Sequence, residues 1–133
     1  MKDEKGFTLI ELIVVIAIIG IVSAVLVPQF TTMTLRSRMR ADVESVKIIQ
    51  KQMDIYAVDY HSMPGNTADD IMSTLISKDY INTKYLSNNS LYLETKGAQV
   101  VYDTTIKQVK LKVTSEQYKL FNHADDKKQW LSQ

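Results

Sequence analysis

One carboxylate stands where carboxylates are rare. Glu11 lies inside the run FTLIELIVVIAIIGIVSAVLV, from Phe7 to Val27, which is otherwise almost wholly apolar. A charge at a bilayer centre costs on the order of 3 kcal/mol, so a glutamate there implies a cationic partner. Just upstream, the polar leader MKDEKG ends in Gly6. Having no side chain, Gly6 lets an extended backbone enter a narrow protease cleft, and Gly6-Phe7 becomes a candidate cleavage bond. Hydrolysis there would create an α-amino group on Phe7, with a pKa of about 8 and hence largely protonated at neutral pH. In a dry setting that amine would pair strongly with Glu11 of a neighbouring copy and set the register between subunits.

Those groups need an element to carry them. As a helix rising about 1.5 Å per residue, Phe7 to Val27 would span roughly 30 Å, the thickness of bilayer hydrocarbon. A secretory signal peptide fits poorly, because the run exceeds the usual apolar core and Ser23-Ala24-Val25 is a weak small-x-small site. Pro28 closes the run, and Gly20 and Pro28 are the intrinsic helix weakeners within its last part. Beyond it Met39, Val43, Val46, Ile49, Met53, Ala57 and Tyr60 recur every three or four residues until Met63-Pro64-Gly65. One helix is therefore expected from about Phe7 to Tyr60, apolar all round at first and on one stripe afterwards.

The string Lys5-Gly6-Phe7-Thr8-Leu9-Ile10-Glu11, followed by the apolar run and Pro28, resembles the class III signal of type IV pilins and type II secretion pseudopilins. The resemblance implies that a prepilin peptidase cuts after Gly6 and that Phe7 is then N-methylated. It implies a membrane-stored precursor with the leader in the cytoplasm and the C-terminal domain outside, later drawn into an extracellular, cell-surface filament. Further implied partners are other copies of the chain, the pilus assembly platform protein of the cytoplasmic membrane and minor pilins. Glu11 would take the assembly role, and the interval from Gly20 to Pro28 would loosen in the filament. Tyr56, Asp59 and Pro64 resemble the Tyr-x-x-Asp-x(4)-Pro stretch that closes this helix in secretion and competence pseudopilins. Charge alone points the other way on orientation, since Lys2 and Lys5 precede the span and Arg36, Arg38 and Arg40 follow it.

The expected divisions are a leader at 1–6, a transmembrane and filament-core helix at 7–28, and a globular pilin domain at 29–133. Asn66 or Thr67 can cap a short helix to about Lys78, with Ile71, Met72, Leu75 and Ile76 as its apolar face. Residues 80–89 read as a loop with Tyr85 and Leu86 tucked beneath it. Strand-formers at Leu91–Glu94, Gln99–Tyr102 and Val109–Val113 suggest a three-stranded antiparallel meander, with Val109, Leu111 and Val113 inward. Tyr118, Leu120 and Phe121 suit an edge strand or a helical turn, and 126–131 a frayed terminal helix with Trp130 packed back. The fold class is α+β: a long N-terminal helix on a small antiparallel sheet of three to four strands, type IV pilin-like.

Other chemistry finds little footing. The chain has no cysteine, and its 16 basic against 15 acidic residues give a formal net charge of +1, so neither a disulfide framework nor a global pull toward nucleic acid is implied. His61 and His123 stand alone, Asp69-Asp70 and Asp125-Asp126 lack the alternating oxygen pattern of a calcium loop, and no phosphate-cradling glycine loop is present. The reading is a non-enzyme with no cofactor and no metal. Lys107, Lys110 and Lys112, with Lys119, Lys127 and Lys128, are a candidate basic surface for DNA, weighed against a solvated strand face. The Gly- and Asp-rich calcium-binding tail and Asp-Pro-Trp-Gly turn of major secretion pseudopilins are not in the sequence. A major pilin for adhesion or motility therefore ranks first, a competence or type II secretion pseudopilin second, and a membrane-tethered binding domain that never polymerises third.

Overall fold

The computed structural model describes residues 6–82, 86–87 and 90–133. Two compact units divide at Thr34 and Leu35, and one helix, α1 (Leu9–Tyr60), has residues in both. Gly20 and Pro28 lie inside it without interrupting it. Around the proline, Thr31 and Thr32 donate their hydroxyls to the carbonyls of Val27 and Pro28 at 3.0 and 3.2 Å, and Thr34 to Phe30 at 2.8 Å. These hydroxyls are satisfied within the helix and make no demand on water. α1 ends where His61 turns to a left-handed φ of 55°, ahead of Pro64.

In the first unit every residue from Gly6 to Phe30 is exposed. The second unit is built on the later part of α1, whose stripe of Met39, Val43, Val46, Ile49 and Met53 is fully buried. Tyr56 closes the stripe, with its ring stacked on Tyr60 at 4.4 Å, while Tyr60 itself stays exposed. Helix α2 (Ala68–Ser77) starts on Thr67, whose hydroxyl accepts from the Asp70 amide at 3.1 Å, and buries Ile71, Met72 and Leu75. Gly65 is required here: a Cβ would stand 2.6 Å from that of Asp70 and 2.9 Å from the Ile71 nitrogen.

Leu86–Ser87 (β1) and Ser90–Leu91 (β2) form a two-stranded antiparallel pair. The main sheet is β3 (Gln99–Asp103), β4 (Gln108–Lys112) and β5 (Leu131–Ser132), in that spatial order. β3 and β4 are an antiparallel hairpin in the register Val101 to Lys110, and the Asp103 carboxylate accepts from the Thr105 and Ile106 amides within its turn. Val109, Leu111 and Val113 face the core as expected. The third strand is not. Leu91–Glu94 does not join this sheet; the chain's end does, with Leu131 opposite Leu111 in parallel, so the small sheet is mixed rather than wholly antiparallel.

Between them lie α3 (Ser115–Leu120), opened by a capping box of Thr114 and Gln117, and α4 (Ala124–Trp130). The terminal segment is thus a helix that hands on to a strand, with Leu131 buried and Trp130 packed on the core. The expected seat of Tyr85 and of the Leu86 side chain lies outside the described residues.

Four polar side chains fasten the α1 stripe to the rest of the second unit. Arg36 Nε donates to the Leu120 carbonyl at 2.9 Å. Asp42, only 1% exposed, accepts from the Glu94 and Thr95 amides at 2.8 Å each. Lys47 reaches Glu44 and Asp126 at 2.9 Å, and these hydrogen bonds hold its ammonium above the usual lysine range. Gln50 accepts from the Val109 amide at 2.9 Å and donates to the Lys107 carbonyl at 3.3 Å. Buried backbone groups left without such partners would each cost about 1–3 kcal/mol.

Candidate functional site: the N-terminal segment

Gly6, Phe7 and Thr8 precede the helix, all exposed, with Phe7 at 93%. The Gly6-Phe7 bond therefore sits in irregular backbone just before the first turn, and a Cβ on Gly6 would meet nothing within 4 Å. Helical backbone would first have to unwind before entering a protease cleft; this bond need not.

Glu11 has a local role that the spacing could have revealed. The Thr8 amide donates to Glu11 Oε2 at 2.8 Å, and the Glu11 amide donates to Thr8 Oγ1 at 3.3 Å. Thr8 and Glu11 are thus a reciprocal capping box, the Thr-x-x-Glu signature of a helix start. The box satisfies two of the amides a helix leaves unpaired and sets a negative charge at the positive end of the macrodipole. It occupies one carboxylate oxygen. Oε1 makes no hydrogen bond among the described residues, and a carboxylate accepts several, so capping and capture of an amine do not exclude one another.

Past this box α1 presents a window of mean hydropathy 3.0, of which 0% is buried. Its length and composition suffice to cross a membrane. Ile10, Ile13, Val14, Ile18, Ile21 and Val25 point to different sides of the helix and are all exposed, so the cylinder is bare on every side among the described residues.

The lysines named above are less concentrated than their number implies. Lys110 is half-buried, with its ammonium 3.9 Å from Asp103, while Lys112 two residues on and Lys107 in the turn are exposed. Lys127 lies over the Tyr118 ring at 4.6 Å. At the far end of α1, Tyr80 donates its hydroxyl to Asp59 and packs edge-on against Tyr56, and the Asp59 hydrogen bond pushes the Tyr80 phenol up to about 12. Asp59 and Tyr56 of the helix-closing stretch thereby share one partner, which the sequence pattern did not identify.

The family described as the prokaryotic N-terminal methylation motif matches residues 1–27. A fimbrial protein of Pseudomonas aeruginosa is 46% identical over 50 residues, 38% of this chain and 32% of that protein. The type IV major pilin protein PilE1 of Neisseria gonorrhoeae is 30% identical over 112 residues, 84% of this chain and 51% of the relative. The type II secretion system core protein G of Pseudomonas aeruginosa is 33% identical over 64 residues, 48% of this chain and 45% of the relative. The chain thus spans from about a third to about half of the length of these relatives. No solved structure matches significantly. A methylation motif opening an exposed apolar helix that runs on into a small α+β unit fits a membrane-anchored precursor. Over these stretches the chain is similar to fimbrial proteins, to a type IV major pilin and to a type II secretion core protein.

Proposed function

We propose that the chain is a structural subunit of a type IV pilus, held in the membrane as a precursor, cut after Gly6 by a prepilin peptidase, N-methylated at Phe7 and polymerised through the apolar half of α1. The observation that carries this reading is the exposure of that half on every side. At about 25 cal/mol per Å² of apolar surface, so much bare helix is tenable only in lipid or among other apolar helices. Exchange of one apolar setting for the other makes extraction from the membrane feasible. Adhesion or motility is the favoured use, because fimbrial and pilin names recur among the relatives; a competence or secretion pseudopilus is the second reading, supported by the likeness to a secretion core protein. The role is structural, with no catalytic residue assigned.

In the assembled state Glu11 would keep its cap on Thr8 and offer Oε1 to the Phe7 amine of a neighbour. Gly20 and Pro28 are the positions at which α1 would loosen on assembly, since each lowers helix stability and both are exposed. The leader would lie in the cytoplasm with the folded unit outside. Assembly platform and minor pilins would be its further partners. The basic strand face has its own acids and is read as solvated surface rather than a DNA site.

Intact mass and N-terminal sequencing of sheared cell-surface material test the proposal. A chain beginning at Phe7, heavier by one methyl group, and absent from that material in Gly6→Ala, is the expected result. An uncut chain confined to membranes would leave a tethered domain in its place.

A further inference from the structure

Where α1 enters the folded unit, the described surface is basic. No charged residue lies between Glu11 and Arg36, and then Arg36, Arg38 and Arg40 follow within little more than one helical turn. Arg36 is committed inward to the Leu120 carbonyl. That bond places the last turn of α3, with exposed Lys119, beside it. Arg38 and Arg40 are exposed, and among the described residues neither has a side-chain hydrogen bond or an ion pair. The acids next along α1 are engaged elsewhere: Asp42 on two amides and Glu44 on Lys47. Glu116 and Asp125, exposed on α3 and α4, pair with none of these cations.

We propose that Arg38 and Arg40, with Lys119, form a collar that docks on the phosphates of anionic phospholipids while the subunit is stored in the membrane. The inference rests on the reading that the apolar half of α1 crosses a bilayer. Three features favour a lipid surface over an acidic neighbour. Arg36, Arg38 and Arg40 are the first charged groups after the apolar run on the same helix, so they are the cations that lie nearest in sequence to the headgroups on that side. Helical side chains lean toward the N-terminus, which for Arg38 and Arg40 is toward the span. Most decisively, two residues correspond to about 200° around a helix, so Arg38 and Arg40 leave opposite sides of α1. A single neighbouring helix cannot meet both, whereas a plane of phosphates crossing the helix can reach the two exposed flanks on either side of the buried Met39. Guanidinium groups suit that plane, since each binds two phosphate oxygens at once. Drawing the subunit into a filament would break these contacts, and the collar thereby opposes premature extraction.

The test uses the full chain in nanodiscs of mixed phosphatidylcholine and phosphatidylglycerol, with the phospholipids that stay bound on release identified by native mass spectrometry. Wild type is expected to retain phosphatidylglycerol preferentially, and Arg38→Gln/Arg40→Gln to lose that preference by roughly fivefold per arginine. Added salt should weaken it in the same direction, while Lys2 and Lys5 leave a residual preference in both chains. Both arginines are exposed, so both chains should fold and stay in the discs. An unchanged lipid preference in the double variant overturns the proposal. So does that result coupled with a loss of filaments, which would assign the arginines to a neighbouring subunit. A wild-type chain that does not enter the discs would instead overturn the membrane reading, and the collar with it.

Discussion

The two parts of α1 share one secondary structure and take opposite relations to water. Up to Val27 the helix is apolar on nearly every side and all of its described residues are exposed; after Leu35 it buries a single stripe, with Met39, Val46 and Met53 at 0% exposure. Helix geometry is common to both, so what separates them is the width of the apolar face. A stripe finds its partner in α2, β4 and the chain's end. A full cylinder must find one in lipid or in other copies.

Truncating the buried stripe should break the comparison most strongly. Ile49→Ala is expected to destabilise the folded unit by about 3 kcal/mol, whereas Ile13→Ala should leave it within about 0.5 kcal/mol. Denaturant titration of full-length protein in a non-denaturing detergent, followed by near-UV signal from Trp130, would show the difference. Comparable losses would mean that the apolar half supports the fold.

Asp42→Ala comes next, because it strands the Glu94 and Thr95 amides against a helix. A loss of about 3 kcal/mol is expected, with Asp42→Asn recovering part of it through its remaining acceptor. The capping box lies on the other side of the comparison: Thr8→Ala should leave the folded unit untouched while weakening the helix start by about 1 kcal/mol. Its readout is roughly fivefold faster hydrogen exchange in the first turn of α1.

The smallest effect is electrostatic. Tyr80 titrates at about 12 in the folded chain against an ordinary 10.0. A raised folded pKa contributes stability that is fully present below the unfolded value and is lost as pH rises from there through the folded one. Burial pushes the Tyr102 phenol up as well, so alkaline titration of tyrosinate absorbance should show fewer late phenols in Asp59→Asn than in wild type, the difference being Tyr80. An unchanged late phase in Asp59→Asn would place the cause elsewhere.

The long helix, α2 and the β3-β4 hairpin were legible because each carries a periodic pattern or a turn signal several residues long. Leu91–Glu94 misled for a physical reason. Its residues have strand propensity, but the Glu94 and Thr95 amides are taken by Asp42 from another element, so the ladder cannot continue there. β5 is two residues long and pairs in parallel with a strand distant in sequence, which leaves no alternation to read. Arg36, Asp42 and Gln50 likewise look like ordinary polar positions on a helix until the backbone groups they serve are seen. At the N-terminus, Gly6, Phe7 and Glu11 stand out by residue type alone, and their roles in cleavage, methylation and register are proposals. The pairing of Thr8 with Glu11 was legible in their three-residue spacing, the signature of a capping box.

In an assembled filament the apolar half of α1 is expected to be covered by other copies. The chain has no cysteine, so Val14→Cys introduces the only thiol, on the bare part of the helix. In sheared surface filaments that thiol should resist a water-soluble maleimide and give a ladder of multimers on oxidation. Complete labelling with monomer alone would contradict the account.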